Sequence, residues 1–250
     1  MKTAPLLCCA LFALFCSPVA HAQPEGEVIW TEDWANAPVD VPVSKETSPY
    51  FSFVPYAEAH EVRVVDRNSQ PANPFPDVEK ALYIRRATGE KPPICRWGFN
   101  PDGGVVRGAV EIEFFVLPEE ATRRAGLRFY LEAVQERDGR RFYAKCGHLR
   151  VMPGGLALMK TGEGEQLQAA GPKPRTGERN VLRLEWDLAG AGGFWATLNG
   201  EPVHLRDASA SEPSIITIPE QFRTGIGGVS LMILAEQSGA FIGKVTAMRD

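Results

Sequence analysis

Three short stretches gather the side chains best suited to chemistry: Arg96 with its neighbours, Arg128 to Glu132, and Tyr143 to His148. All of them alternate polar with apolar residues, and successive side chains of an extended strand point to opposite faces. Leu127, Phe129 and Leu131 therefore turn one way, and Arg128, Tyr130 and Glu132 the other. If Cys95 and Cys146 pair across strands, Trp97, Phe99, Phe142 and Ala144 share the cysteines' face, while Arg96, Tyr143 and Lys145 share the opposite one. The apolar set is expected in the core. The outward set combines cations, tyrosines and a carboxylate, with His148 just beyond the strand end. Such a mixture suits a sugar, with aromatic planes for its apolar faces and charges for hydroxyls or uronates. The plain alternative is that these are merely the polar faces of half-buried strands.

Other chemistries find less support. His60, His148 and His204 show no metal-ligand spacing, and no Gly-x-Ser-x-Gly elbow or phosphate-cradling glycine loop occurs. No metal site is expected. Glu111 and Glu113 fall on one strand face, where two carboxylates could serve as nucleophile and acid of a glycosidase.

Residues 1–22 read as a secretory signal peptide: Lys2 supplies the positive start, Leu6 to Cys16 an apolar run, and Ala20-His21-Ala22 a small-x-small cleavage site. Cleavage is expected near Ala22, leaving a secreted or periplasmic protein. Cys16 would invite lipid modification, but Phe15 stands where that processing needs a small residue. No later run approaches the length of a membrane helix, so no membrane insertion is expected. The remaining chain keeps Cys95 and Cys146, and two cysteines in an oxidising compartment are expected to form one disulfide. Residues 23–250 carry 26 basic against 31 acidic groups, which excludes a basic footprint for nucleic acid.

The elements that must position these residues are strands. Alternating blocks recur from Val28 to Trp34 through Phe241 to Met248, punctuated by Gly, Pro, Asn and Asp clusters such as Gln70 to Pro76. The one helical candidate is Leu117 to Gly126, and Gly154 to Gly177 reads as a long hairpin loop. A dozen or more short strands predict an all-β protein: a two-sheet antiparallel β-sandwich of jelly-roll type, with residues 23–250 forming a single domain. Nothing in the sequence sets an oligomeric state.

Asn180 to Asp187, a Gly-rich bend, and Phe194 to Val203 carry a recognisable design. Leu182, Leu184 and Trp186 alternate inward, and Asn199-Gly200 supplies the positive φ angles of a tight turn. This resembles the paired strands of the concanavalin A-like and laminin G-like jelly rolls. Those families open with an acidic and aromatic strand, matched by Trp30 to Trp34, and close with a strand returning beside it, matched by Phe241 to Val245. Many members hold a structural calcium between the N-terminal acid and an Asp of the closing strand. Here Gly243 stands at the Asp position, leaving Glu32 and Asp33 as the acids that remain for it.

Tyr143-Ala144-Lys145-Cys146-Gly147 also resembles the Tyr-x-Lys-x-Gly strand of alginate-lyase-type jelly rolls. That resemblance implies proton transfer by Tyr143 beside Lys145, although the family's Gln-x-His is missing and the one suggestive Arg-x-Glu is Arg183 to Glu185. Glu111 to Val116 resembles the Glu-x-Asp-x-x-Glu strand of laminarinase-type glucanases, with Glu113 in place of the Asp and Val116 in place of the last acid. The expectation is a secreted module that binds a glycan or polysaccharide without catalysis, through Arg96, Arg128, Tyr130, Glu132, Tyr143, Lys145 and His148. A polysaccharide lyase or glycoside hydrolase is the second reading, and a structural or protein-binding envelope protein the third.

Overall fold

The computed structural model describes residues 26–44, 46–54, 60–89, 91–99, 103–117, 126–152, 155–160, 166–205, 212–234, 236 and 238–250. The signal segment and residues 118–125 of the expected helix lie outside them. The first half of the chain forms β1 (Glu27–Glu32), β2 (Phe51–Val54), β3 (Glu61–Val65), β4 (Ala81–Arg85), β5 (Ile94–Gly98), β6 (Arg107–Val116) and β7 (Leu127–Arg137). The second half adds β8 (Arg140–Met152), β9 (Gly155–Lys160), β10 (Gln166–Ala170), β11 (Arg179–Asp187), β12 (Gly193–Leu198), β13 (Glu201–Pro202), β14 (His204–Leu205), β15 (Ile216–Thr217), β16 (Ile226–Ile233) and β17 (Gly239–Arg249).

These strands make two antiparallel sheets. The first runs β13-β12-β11-β6-β17-β4-β3, with β1 beside β17 and β15 beside β12. The second runs β14-β10-β9-β8-β7-β16-β5-β2. The expected all-β sandwich is therefore the architecture observed, and among the described residues no helix is long and apolar enough to cross a membrane. Two expectations change in detail. The segment read as a hairpin loop holds β10 in addition to β9, which matches the alternating block at Leu156 to Lys160, and β8 continues past Cys146 to Met152.

Tight turns fix the registers. Asp138 and Gly139 take φ of 54° and 69°, and Asn199 and Gly200 take 55° and 81°, as a two-residue hairpin turn requires. The first joins β7 to β8 and sets Tyr143 opposite Val134; the second joins β12 to β13. Inward side chains of both sheets fuse into one core. Leu182, Leu184 and Trp186 are buried as expected, and the ring centroids of Phe114 and Phe129 lie 5.4 Å apart across it. Trp34 is wholly buried, sits edge-on to Trp97, and donates its indole N–H to the carbonyl of Ile242 at 3.1 Å. Burying a large apolar side chain contributes about 1.5–3 kcal/mol, so these aromatics are major terms in stability.

β1 returns beside β17, with Glu32 opposite Val245, as the resemblance implied. The residues there do not suit the family's calcium. Glu32 accepts hydrogen bonds from the Trp34 backbone N–H and the Ser48 hydroxyl, and Asp33 from the Ala35 N–H. Gly243 lies under Phe75, whose ring a Cβ would approach to 3.2 Å. Among the described residues no three His, Cys, Asp or Glu side chains gather as a metal site.

The expected disulfide is corrected: Cys95 and Cys146 are both buried thiols with no disulfide between them. β16 and β7 stand between β5 and β8, so three strand spacings, ~14 Å on a flat sheet, separate them. A disulfide needs Cα atoms within about 7 Å. Phe142 is corrected as well. It is 42% exposed because its end of the β7–β8 hairpin runs beyond the core.

Candidate functional site

The outward residues of β5, β16, β7 and β8 meet on the outer face of the second sheet. Register arranges them in rungs. Arg96, Ser230, Tyr130 and His148 lie side by side across the four strands, and the next rung reads Gly98, Gly228, Glu132 and Lys145. Arg128 faces Arg150 across β7 and β8 on one side of these rungs, and Val134 faces Tyr143 on the other.

A bulge in β8 produces this set. Leu131 pairs with Gly147 but Glu132 pairs with Lys145, which leaves Cys146 as the extra residue. The outward parity switches there: Tyr143 and Lys145 precede it on odd positions, and His148 and Arg150 follow it on even ones. Gly147 faces the core, where a Cβ would come within 2.5 Å of the Phe194 ring.

The sheet also curls toward this face. The hydroxyl of Tyr143 lies 2.7 Å from where a Cβ on Gly98 would be, and the ring edge 3.5 Å from the same point on Gly228. A tyrosine on β8 cannot reach β5 across a flat sheet, so the outer face is concave. Missing side chains on Gly98 and Gly228 make the shelf on which the ring rests, with the Arg96 guanidinium carbon 5.8 Å from the ring centroid.

Glu132 sits beneath this shelf and is fully buried. Arg96 binds it through two nitrogens, one at 3.1 Å, and the Ser230 hydroxyl donates to it at 2.7 Å. A buried carboxylate is tolerated when paired and hydrogen-bonded in this way. Glu132 therefore orients Arg96 instead of facing solvent, which corrects its expected role as a ligand contact.

At the other end, Lys145 places its ammonium 4.0 Å from the Tyr130 ring centroid, and Arg128 donates to the Tyr130 hydroxyl at 3.1 Å. Burial lowers the Lys145 pKa; nearby Glu132 pulls it back up, while Arg96 and Arg128 push it further down. His148, expected in an exposed loop, is instead 7% exposed within β8 and packs its ring 5.1 Å from that of Tyr130. Burial first, then Arg128, Lys145 and Arg150, depress its pKa to about 4, so the imidazole is neutral at physiological pH.

All seven residues expected at the site thus share one face. Sequence reading missed Ser230, Gly98, Gly228 and Arg150. Leu149 and Val151, apolar on odd positions after Ala144 and Cys146 on even ones, were the available sign of the parity switch.

The remaining candidates lie elsewhere. Glu111 and Glu113 project from the first sheet, where Arg183 holds Glu111 at 2.9 Å and Glu185 at 3.1 Å, and Arg179 holds Glu113 at 2.6 Å. These are ion-pair ladders, and they remove both the glucanase-like pair and Arg183 from the Tyr143 face. His60 is buried and engaged at both ring nitrogens by backbone groups of Lys91 and Ala87.

No family model matches this sequence, and no curated protein matches it. Solved structures match it in fold. The chain resembles the cellulose induced protein Cip1, with a TM-score of 0.54 and 10% identity over 88% of this chain and 97% of that one. It resembles the carbohydrate esterase of Shiga toxin-encoding bacteriophage phi24B, with a TM-score of 0.53 and 11% identity over 90% of this chain and 100% of the other. The metal-free carbohydrate recognition domain of Emp46p gives a TM-score of 0.51 and 11% identity over 90% and 98%. The chain folds as a concanavalin A-like jelly roll.

Proposed function

We propose that this is an exported glycan-binding protein, and that the glycan lies along the concave outer face of the second sheet. The observation that carries this reading is the convergence of Tyr143, laid over Gly98 and Gly228, with Arg96 held in place by buried Glu132 and Ser230. An aromatic plane can stack on the apolar face of a sugar ring, and a fixed guanidinium can donate to its hydroxyls. Lys145 and Arg128 continue the same face, over the buried ring of Tyr130. The proteins named above that share the fold include a carbohydrate recognition domain and a carbohydrate esterase, which supports the reading by analogy.

Affinity electrophoresis through gels containing polysaccharides tests it. The protein should be retarded by at least one polysaccharide, and Tyr143→Ala or Arg96→Ala should abolish the retardation while the fold still melts cooperatively. Retardation unchanged in both variants would remove the site, and no retardation by any polysaccharide would favour a structural or protein-binding envelope role.

One observation favours a second reading, polysaccharide lyase activity: the Tyr143 phenol and the Lys145 ammonium share this face with a neutral imidazole, that of His148. It predicts ultraviolet absorbance from unsaturated products that disappears in Tyr143→Phe. Binding without that absorbance leaves the module non-catalytic.

A further inference from the structure

We propose that Tyr50 is a second stacking platform of this site, and that a polysaccharide chain lies across the strands from Tyr143 toward the β2 edge of the concave face. This rests on the glycan-binding reading above and deepens it.

Position makes the first argument. β2 is the edge strand next to β5. Ser52 lies opposite Arg96, and partners opposed across strands share a face. Tyr50, two residues earlier, keeps that face by strand alternation. Its carbonyl accepts the Gly98 N–H at 2.9 Å, which carries the ladder one position beyond β2. The rung of Gly98, Gly228, Glu132 and Lys145 therefore ends at Tyr50. Residues opposed through such a hydrogen bond have Cα atoms ~5.5 Å apart. The Tyr143 hydroxyl lies 2.7 Å from where a Cβ on Gly98 would be. Two phenol side chains thus approach the same glycine, one from β8 and one from the β2 edge.

The second argument is that Tyr50 is exposed and yet braced. It is 46% exposed, and among the described residues Tyr50 and Phe142 are the exposed aromatic side chains. Phe142 stands past the end of the core, whereas Tyr50 rests on a column of rings. It meets Trp30 edge-on at 5.8 Å and 68°, Trp30 stacks on Phe99 at 6.5 Å, and Phe99 stacks on buried Trp186 at 6.3 Å. An edge-on contact covers at most one face of the Tyr50 ring. A ring that merely sealed Trp30 would be more stable with both faces buried. A ring already held in place loses little freedom when a sugar stacks on it. Ser52 and Arg96 lie beside it on the same face, a hydroxyl and a guanidinium for sugar hydroxyls.

The test runs the purified protein through gels containing xylan, laminarin, carboxymethylcellulose or alginate, and compares variants in the polymer that retards the parent most. Tyr50→Leu keeps an apolar cover on Trp30 but has no ring plane, and Tyr50→Phe keeps the plane without the hydroxyl. Tyr50→Leu should weaken retardation roughly threefold to tenfold, the range for loss of one stacking contact, while its melting midpoint stays at that of the parent. Tyr50→Phe should retain the retardation. Phe142→Leu, which removes the other exposed ring, should change nothing. Full retardation of Tyr50→Leu, or an equal loss in Phe142→Leu, overturns this proposal and leaves glycan binding at Tyr143 intact. Equal losses in Tyr50→Phe and Tyr50→Leu would assign the contact to the hydroxyl and overturn stacking. A loss in Tyr50→Leu accompanied by a lowered melting midpoint would make the residue a structural cover, which also overturns it. Retardation by none of the four polymers overturns it together with the reading on which it rests.

Discussion

His148 shows how much a single residue's surroundings can change its behaviour. Its pKa falls from the ordinary 6.5 to about 4 because burial and three nearby cations disfavour the charged ring. The unfolded chain therefore takes up this proton at a higher pH than the folded protein. Above pH 6.5 the group costs nothing; as pH falls the penalty grows, and it levels off below about 4. After allowance for solvent screening the full cost is about 2 kcal/mol. Urea unfolding at pH 7 and pH 4 should show His148→Gln losing less stability than the parent across that interval. Parallel losses would mean that the ring protonates freely in the fold. The residue was visible in the sequence, but its burial was not, since no local pattern reports which neighbours will surround it.

Among the strands, two glycines illustrate different constraints. A methyl group on Gly98 would strike the hydroxyl end of Tyr143, a side chain able to swing away. On Gly147 it would strike the Phe194 ring inside the core, which has no room to move. Gly98→Ala should therefore abolish retardation by polysaccharide while leaving stability within about 1 kcal/mol of the parent. Gly147→Ala should cost about 1–3 kcal/mol through overpacking. Denaturant midpoints and affinity electrophoresis on the two variants check this, and the reversed pattern would refute the assignment of faces. Strand identities were largely legible, because alternation is a local property: Leu127, Phe129 and Leu131, like Leu182, Leu184 and Trp186, are buried as expected. The Cys146 bulge was not, because a bulge exists only relative to a partner strand.

For the whole molecule, strand order decides what the cysteines do. With β16 and β7 between their strands, Cys95 and Cys146 stay thiols, and burial raises both pKa values, that of Cys146 to about 12. Ellman's reagent should find no thiol in the folded protein beginning at Gln23 and two after denaturation, and reductant should leave the melting midpoint unchanged. Two thiols missing after denaturation without reductant would contradict the strand order itself. The sequence by itself determined the strand class, the two-sheet sandwich, and the faces of Arg96, Arg128, Tyr130 and Tyr143, since these follow from a two-residue period and turn chemistry within a few residues. Only the tertiary structure decided that Arg96 from β5 meets Tyr143 from β8, that Glu132 lies buried beneath them, and that the cysteines stay apart. Those outcomes depend on pairing register and sheet curvature between residues far apart in the chain, which no local period encodes.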